Sequence, residues 1–264
     1  MSTMTGKYLI FDTHAHYDDH AFDEDREEVL EALPEAGVGR VVNIGSTIES
    51  CEKCLELARR YPYVYAAIGV HPSESEPLTE EIFETVRRQC MDQRCVAVGE
   101  IGLDYYWPEP SAEIQRKWFV RQLQLAREVR KPVVIHSREA CRDTLDILRG
   151  ERAWELGGII HCYSYSPETA REYLDMDFFF GIGGVLTFKN AKKLKETVQY
   201  VPMEKIVIET DSPYLAPVPN RGKRNDSRNL AYVVRELAAI KGLSEEEVRK
   251  ITWENACRVY RMEE

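Results

Sequence analysis

Short apolar runs recur along the chain and alternate with amphipathic segments. Eight runs are almost free of polar residues, at positions 8–11, 41–44, 65–70, 96–98, 133–135, 158–160, 178–182 and 206–208. Near-continuous apolar character, rather than strict alternation, is typical of strands buried on both faces. Helical periodicity fills the spaces between them, for example at positions 24–36, 50–60, 112–130, 140–148 and 167–174.

This order of strand then helix, repeated about eight times without a linker, predicts a parallel α/β fold. A chain of 264 residues suits one (β/α)8 TIM-type barrel, which typically needs about 250. We therefore predict a single barrel domain over residues 1–264. A doubly wound open sheet is the structural alternative, and the polar residues that close so many of the strands favour the barrel.

The C-terminal part adds helical segments at 228–241, 244–250 and 252–261. Ser244 and Glu247 form a capping-box pattern, which predicts a helix start. The longest loop spans 212–226, is Pro-rich and then basic, and follows the last predicted strand. Loops of that length without structure of their own are usually functional.

Composition narrows the class of protein. Residues 1–7 are polar and lack the pattern of a secretory signal, and the longest apolar stretch, 178–188, is too short to span a membrane. Seven cysteines without framework spacing suit reduced thiols, so we expect a cytoplasmic protein. Cys51 and Cys54 have redox or zinc spacing, but they lie in a helical pattern with no second pair, which favours helix packing.

A net charge of −10 argues against non-specific coating of duplex DNA, because polyanions are repelled at long range. Any contact with nucleic acid therefore needs local positive charge. The sequence shows no sign of an obligate protein partner.

Two histidines mark the end of the first strand. His14 and His16 are two residues apart, so both imidazoles point to the same face of a strand, with Cα atoms about 6.6 Å apart. One metal ion can accept a nitrogen from each. A lone His-x-His pattern also occurs in surface or core positions, but Asp12 directly before it favours metal binding.

Polar side chains close four further apolar runs in the same way, namely Glu100, His136, His161 and Asp211. An unpaired polar group buried at such a position would cost several kcal/mol, and metal ligation satisfies all of them together. Four imidazoles and two carboxylates exceed the needs of one four-coordinate ion. The set suits two divalent ions bridged by a carboxylate.

Over nearly its whole length the chain resembles the TatD-type metal-dependent deoxyribonucleases, within the amidohydrolase-like barrels. The matching segments are FDTHAH at 11–16, IGVHP at 68–72, VGEIGLDYY at 98–106, VIHSREA at 134–140, HCYS at 161–164, IETDSPYL at 208–215 and NA at 255–256. The resemblance implies that one ion is held by His14, His16 and Asp211. It implies that His136 and His161 hold the second ion and that Glu100 bridges both.

The chain departs from the family pattern at two places. It has Asn225-Asp226-Ser227 where the family usually has Asn-Glu-Pro, and Tyr163 and Tyr165 lie in a segment that is often His-Cys-Phe-Ser-Gly. Neither change alters the implied ligands, so they bear on substrate preference more than on chemistry.

Several residues after strand ends are candidates for contact with substrate. His71 could contact a phosphate or donate a proton, with a structural hydrogen bond as the alternative. Cations that could bind a phosphodiester are Arg138, Lys189, Arg221, Lys223 and Arg224. Aromatic residues that could stack on unpaired bases, or simply pack, are Tyr105, Tyr106, Trp107, Tyr163 and Tyr165.

These features predict a deoxyribonuclease that hydrolyses phosphodiesters with two ions, with Asp211 orienting and deprotonating a water and Glu100 as the second catalytic carboxylate. Mg²⁺ or Mn²⁺ suits phosphate, whereas four imidazoles favour Zn²⁺. The acidic chain with a local basic rim favours an exonuclease acting on DNA ends or single strands. The alternatives are hydrolysis of a small amide, ester or lactone, and a protein without catalytic activity.

Overall fold

Eight apolar segments form the eight strands of one parallel sheet in the computed structural model, which describes residues 9–263. The strands are β1 (Ile10–Ala15), β2 (Val38–Ile44), β3 (Val64–Ile68), β4 (Cys95–Asp104), β5 (Val133–Arg138), β6 (Gly158–Ile160), β7 (Phe179–Ile182) and β8 (Ile206–Ile208). Each strand pairs in parallel with the next in the chain.

The sheet closes where β1 meets the segment after β8. Ala15 bridges Ser212 in parallel, the His16 amide donates to the Ser212 carbonyl (2.8 Å), and the Asp211 amide donates to the His14 carbonyl (2.9 Å). The predicted (β/α)8 barrel in a single domain is thus confirmed, and the open sheet is excluded. Closure also brings Asp211 beside β1, although about 200 residues separate them in sequence.

Nine α-helices, counted over residues 9–263, accompany the strands. They are α1 (Arg26–Ala32), α2 (Ile48–Arg60), α3 (Glu80–Cys90), α4 (Ala112–Val129), α5 (Cys141–Gly150), α6 (Pro167–Leu174), α7 (Lys192–Tyr200), α8 (Leu230–Lys241) and α9 (Glu245–Tyr260). Hydroxyl side chains of Thr47, Thr79, Ser111 and Ser166 accept from the first turns of α2, α3, α4 and α6. The capping box of Ser244 and Glu247 opens α9 as predicted.

Two apolar layers stabilise the barrel. One fills the space between strands and helices. The other fills the barrel interior with alternate strand residues such as Phe11, Ala97 and Val134, and packs against Tyr260 of α9. The Tyr260 hydroxyl donates to the Thr13 carbonyl (2.8 Å), so α9 covers the end of the barrel where the strands begin. The opposite end, where the strands finish, stays open for a site.

Several predicted boundaries were wrong. The helix expected at 24–36 is the shorter α1, which ends two residues before Pro34, a residue that cannot donate to a helix. The segments 244–250 and 252–261 form one helix, α9. β4 extends through Asp104 rather than ending at residue 98, because its pairing with β5 continues from Ile101 to Asp104. Residues 1–8, which include the start of the first predicted strand and the segment considered as a signal, lie outside the described part.

Both cysteines with redox spacing lie in the buried face of α2, which confirms helix packing. Cys51 donates to the Gly69 carbonyl (3.2 Å), and Asn43 Nδ2 donates to Cys54 Sγ (2.9 Å). Cys51, Cys54, Cys90, Cys95, Cys141 and Cys162 are free thiols. Over the described residues, no helix combines the length and apolar character that a membrane crossing requires.

Candidate metal centre

The six predicted ligands converge at the open end of the barrel and form one cluster. His14 lies within β1 and His16 directly follows it, Glu100 lies within β4 and His136 within β5. His161 directly follows β6, and Asp211 lies three residues after β8. Five of the side chains thus belong to a strand or to the residue that follows one, and the hydrogen bond from the Asp211 amide to the His14 carbonyl ties the sixth to β1.

His14, His16 and Asp211 form one tight group. The Nε2 atoms of the two histidines are 3.1 Å apart, as expected for imidazoles on one face of a strand. Asp211 Oδ1 lies 3.8 Å from His14 Nε2 and 3.6 Å from His16 Nε2. Two ligand atoms about 2.1 Å from one ion lie roughly 3.0–3.5 Å apart, so this group fits a divalent ion after small adjustments.

Glu100 lies at the centre of the cluster with only 3% of its surface exposed. Its Oε2 is 3.3 Å from His14 Nε2 and 3.9 Å from His16 Nε2. Its Oε1 is 2.6 Å from His136 Nδ1 and 3.7 Å from His161 Nε2. The two oxygens therefore face different histidine pairs, which is the arrangement a bridging carboxylate needs.

The second histidine pair is wider than the first. The ring centroids of His136 and His161 are 6.4 Å apart. His161 also stacks on His14, with centroids 3.5 Å apart, and its Nε2 is 3.6 Å from Asp211 Oδ1. His161 therefore contacts the first group directly, and Glu100 Oε1 is the atom that faces both His136 and His161.

The far nitrogen of three of these imidazoles faces an acceptor. His16 Nδ1 donates to the Ile44 carbonyl (2.8 Å), and His136 Nε2 donates to Asp104 Oδ2 (3.0 Å). His161 Nδ1 lies 2.9 Å from Glu209 Oε1. Such partners fix the tautomer and ring orientation, leaving the other nitrogen free to bind a metal.

Asp104 and Glu209 were missed as functional residues by the sequence analysis, although both lie in the quoted GLDYY and IETDSP segments. Glu209 is 1% exposed, and its Oε1 accepts from the Cys162 amide (2.6 Å). A Cβ at position 181 would collide with Glu209 Oε2, so Gly181 leaves the space this carboxylate occupies. A carboxylate beside a predicted ligand in a strand-end motif was the available signal.

Beneath the cluster, Asp12 anchors the backbone that carries the ligands. It accepts from the His14 amide (3.2 Å), the Thr210 hydroxyl (2.7 Å) and the Ser227 hydroxyl (2.6 Å). Complete burial raises the pKa of Asp12 to about 7 despite these hydrogen bonds. Ser227, one of the departures from the family pattern, thus supports the floor of the site.

The cluster is electrostatically coupled. Burial alone would raise the pKa of Glu100, but His161, His14 and His136 outweigh burial and hold it well below its usual value. Burial also opposes the charged form of His16, yet Asp211 and Glu100 raise its pKa to about 9. The same balance raises the pKa of His136 to about 9, and Glu209 with Glu100 raises that of His161 to about 10.

Above the cluster lies an open cleft of about 630 Å³. Its lining divides into two sides. An acidic wall consists of Asp18, Asp19 and Glu74 on the loops after β1 and β3, whereas Trp107 follows β4 and Arg138 ends β5. Charge across the mouth of the cleft is therefore strongly asymmetric.

His71, a predicted substrate contact, lies in this cleft. Its Nδ1 accepts from the Ser73 amide (3.2 Å), and its Nε2 is 4.0 Å from Glu100 Oε1. Burial and the neighbouring His136 lower the pKa of His71 to about 3. The ring is therefore neutral at pH 7 and presents Nε2–H towards the centre.

Of the predicted cations, the structure brings Arg138 into the cleft but not Arg221, Lys223 or Arg224. Arg224 forms a bidentate ion pair with Asp25, with N–O distances of 2.7 and 2.5 Å. The guanidinium of Arg221 stacks 4.4 Å from the ring centroid of Phe188. The structure does not gather this loop's charges at the cleft, because local partners hold two of them elsewhere, and their contact with substrate stays a prediction.

Comparison with known proteins places this geometry in a family. Residues 11–261 match the model of the family described as TatD related DNase. The chain belongs to that family. It is 42% identical over 254 residues to the metal-dependent hydrolase YabD of Bacillus subtilis, covering 96% of this chain and all of the relative. It is 34% identical to YcfH of Escherichia coli, covering 97% of each chain; both relatives are named uncharacterized metal-dependent hydrolases.

Solved structures agree with the assignment. A TatD homologue from Escherichia coli superposes with a TM-score of 0.90 at 28% identity, covering 96% of this chain and 98% of that one. An organophosphorus hydrolase from Deinococcus radiodurans, at a TM-score of 0.66 and 14% identity, shares the fold. The protein is thus a metal-dependent hydrolase of the TatD family with candidate metal-binding clusters at the open end of its barrel.

Replacing Glu209 by Gln is expected to weaken metal binding by this TatD-family protein about 10- to 100-fold, the usual effect of removing a partner behind a ligand. Gln keeps the shape of Glu but removes the charge facing His161 Nδ1. Competition with a chelator of known affinity measures the change. Glu236→Gln, which removes a carboxylate paired with Lys195 on the surface, is the matched control, and unchanged metal affinity in Glu209→Gln would mean that Glu209 only fills space.

The metal-free TatD-family protein is expected to lose stability between pH 7 and pH 9. The folded-state pKa values of His16, His136 and His161 are raised to about 9, 9 and 10, above the unfolded value of about 6.5. Their contribution is therefore full below pH 6.5 and is lost as the pH rises through 9–10. Urea unfolding of chelator-treated protein at the two pH values measures this.

Metal-loaded protein serves as the comparison for that titration, because ions bind neutral imidazoles and their affinity grows with pH. His20→Gln, which removes a histidine that is 90% exposed, should keep the full pH slope. A metal-free protein that became more stable from pH 7 to pH 9 would contradict the assignment of protonated histidines to the cluster.

Proposed function

We propose that the protein is a deoxyribonuclease that hydrolyses phosphodiester bonds with two divalent ions, acting on DNA ends or unpaired strands. The observation that carries the proposal is the position of Glu100, whose two oxygens face two separate groups of histidines at the floor of an open cleft. A carboxylate between two sets of ligands is the design of two-metal hydrolases.

His14, His16 and Asp211, which form one compact group, would hold one ion. His136 and His161, whose Nδ1 and Nε2 atoms lie 2.6 and 3.7 Å from Glu100 Oε1, would hold the other, and Glu100 would bridge them. When bound, such ions lower the pKa of a water towards neutrality and neutralise charge on the phosphate. Four imidazoles favour Zn²⁺, whereas the substrate class favours Mg²⁺ or Mn²⁺.

The chain's own residues supply proton transfer and orientation. The backbone amide of Asp211 donates a hydrogen bond to the His14 carbonyl, which holds the residue in place. His161 and His16 keep the pKa of the Asp211 carboxyl below its usual value despite burial. It is therefore an ionised carboxylate at neutral pH, able to orient a water and accept its proton. Neutral His71 can donate from Nε2 to a phosphate oxygen or the leaving group, and Arg138 can pair with the phosphate.

The charge asymmetry of the cleft supports action at ends. A continuous polyanion would have to run along the acidic wall of Asp18, Asp19 and Glu74, where like charges repel it. A chain end can enter from the Arg138 side and stop before that wall. Duplex DNA, which carries about one charge per 1.7 Å of helix, fits this surface poorly.

A second candidate is hydrolysis of a small uncharged ester, amide or lactone by the same centre. The acidic wall favours it, because a neutral substrate is not repelled there. Arg138 favours the phosphodiester instead, since it offers a planar pair of donors that suits phosphate.

Buried free thiols bear on where the protein acts. Cysteines outside disulfides persist in reducing compartments, and Cys51, Cys54, Cys90 and Cys95 are buried free thiols. We therefore propose the cytoplasm as its place of action.

The decisive experiment is cleavage of an end-labelled single-stranded oligonucleotide by metal-stripped protein refilled with Mg²⁺, Mn²⁺ or Zn²⁺. Stepwise shortening that depends on the ion supports the proposal and gives the direction of digestion. A double-stranded oligonucleotide with blunt ends should be cut more slowly. No cleavage with any ion, together with turnover of a lactone or aryl ester, would establish the second candidate.

A further inference from the structure

We infer that Trp107 is the surface on which the unpaired base of the terminal nucleotide stacks, and that Asp104 holds this surface in a fixed position relative to the metal centre. The inference rests on the proposed function and specifies its substrate as an end with a free base. Its support is the exposure of Trp107, the ring contact next to it, and the hydrogen bonds that hold the loop after β4.

Trp107 is a large apolar side chain with 54% of its surface exposed, and it lines the cleft above the histidines. Packing in the core does not explain it, unlike Trp118, which is 2% exposed. An exposed indole beside a charged centre offers a flat face to any base, because every base has a π face.

Trp107 and two neighbouring side chains, Tyr106 and Arg138, form the surface here called the platform. The rings of Tyr106 and Trp107 meet edge to face, with centroids 4.8 Å apart and planes at 89°. The guanidinium carbon of Arg138 lies 3.8 Å from the Tyr106 ring centroid, within the range of a cation–π contact. A base stacked on Trp107 would therefore have a cation close by for the adjoining phosphate.

Asp104 connects this platform to the metal centre. Its Oδ2 accepts from His136 Nε2 (3.0 Å), and its Oδ1 accepts from the Tyr106 amide (3.0 Å). One carboxylate thus orients a metal ligand and the backbone directly before Trp107. These two hydrogen bonds, together with the backbone of β4, set the distance from the platform to the reacting phosphate.

Gln115 of α4 fixes the rest of the loop. Its Oε1 accepts from the Asp104 amide (2.8 Å), and its Nε2 donates to the carbonyls of Asp104 (2.9 Å) and Pro110 (2.8 Å). The side chain of Gln115 is buried. A loop tied to a helix at both ends is ordered before substrate arrives, which lowers the entropic cost of binding.

The other exposed aromatic residue in the cleft is less suitable. Tyr214 is also 54% exposed, but its hydroxyl donates to Asp19 Oδ2 (2.9 Å). A base stacked on Tyr214 would bring its phosphate towards the acidic wall. The Trp107 side combines an aromatic face with a cation, so we assign the terminal base to Trp107.

Binding tests the inference without turnover. Metal-loaded protein is titrated with a single-stranded oligonucleotide whose linkages are replaced by non-hydrolysable methylene phosphonates, and indole fluorescence is followed. Binding should quench the emission of the natural protein, and Trp107→Phe should remove that quenching while keeping the affinity within a few-fold. Trp107→Ala should weaken binding about 5- to 150-fold, the range for loss of one stacked base.

Kinetics provide the second arm. With cleavable oligonucleotide, Trp107→Ala should raise KM by a similar factor while kcat and metal content stay close to those of the natural protein. An oligonucleotide ending in an abasic residue should bind the natural protein and Trp107→Ala equally. Trp154→Ala removes another indole, 43% exposed, which precedes β6 and so lies at the opposite end of the barrel; it should change nothing.

The outcomes separate the inference from the proposed function. Cleavage with equal KM in the natural protein and Trp107→Ala would overturn the stacking role and leave the nuclease intact. Quenching by oligonucleotide without cleavage by any ion would overturn the nuclease and support the stacking surface. A protein that neither binds nor cleaves oligonucleotide would overturn both.

Discussion

Asp211→Asn is expected to lower kcat about 10²- to 10⁴-fold, the usual contribution of a general base, while the barrel stays folded. The change keeps the side chain's size but removes the ionised carboxylate that faces His14, His16 and His161. An amide cannot accept the proton of an attacking water, and it is a weaker metal ligand. The backbone at 211 has a φ of 55°, which Asn tolerates as well as Asp.

The matched control is Asp177→Asn, because Asp177 also has positive φ, at 63°. Its carboxylate pairs with Lys205, just before β7 and therefore at the opposite end of the barrel from the cluster. Initial rates on end-labelled oligonucleotide and on an aryl ester should both fall in Asp211→Asn. In Asp177→Asn both rates should equal those of the natural protein. Full activity of Asp211→Asn on both substrates would remove Asp211 from the catalytic role.

Glu100→Gln is expected to have the second large effect, on metal content as well as on rate. The carboxylate lies within 4.0 Å of a nitrogen of each of five histidines. Without its charge, ligands from both groups lose the anion between them. We expect metal affinity to fall more than about 100-fold, which exceeds the effect of outer partners, and at least one ion per chain to be lost on dialysis.

Metal analysis of dialysed protein, paired with rates at increasing ion concentration, measures this effect. Glu172→Gln, at a glutamate paired with Arg149 on the surface, is the matched control. Circular dichroism should show both variants folded. Glu100→Gln that retained the natural metal content and rate would mean that the two groups of histidines do not share a bridging ligand.

Much of the fold could be predicted because each buried strand of a parallel barrel appears in the sequence as a separate apolar run. Strands such as β6 and β8 are short and buried on both faces, so their predicted and observed limits coincide. The length of β4 was underestimated, since Glu100 and Asp104 break its apolar pattern although its pairing with β5 resumes at Ile101 and continues to Asp104. Pattern reasoning reads a functional side chain inside a strand as the strand's end.

The positions of the ligands were predictable for a related reason. A polar residue that closes a buried strand must be satisfied, and the strands of a parallel barrel all finish at one end. Those two facts bring His14, His136 and Asp211 together before any coordinates are known. Their supporting partners were not predictable, because Glu209, after β8, reaches His161, after β6, across the intervening β7 and over 48 positions of sequence.

The basic loop shows the opposite case. Arg224 was expected at the cleft because its loop follows the last strand, yet the side chain turns to Asp25, 199 residues earlier in the chain. Sequence places a loop at one end of the barrel but carries no information on the direction in which its long side chains point. That direction depends on the charges that happen to lie nearby in space.

The sequence by itself therefore determined the barrel, its order of strands and the six converging side chains that could bind metal, because burial and hydrogen-bond pairing along each strand are local requirements. Only the tertiary structure decided which carboxylates stand behind the histidines, which cation enters the cleft and which aromatic face remains exposed beside it. Those properties arise from contacts between side chains that are distant in sequence, and such contacts exist only once the sheet has closed.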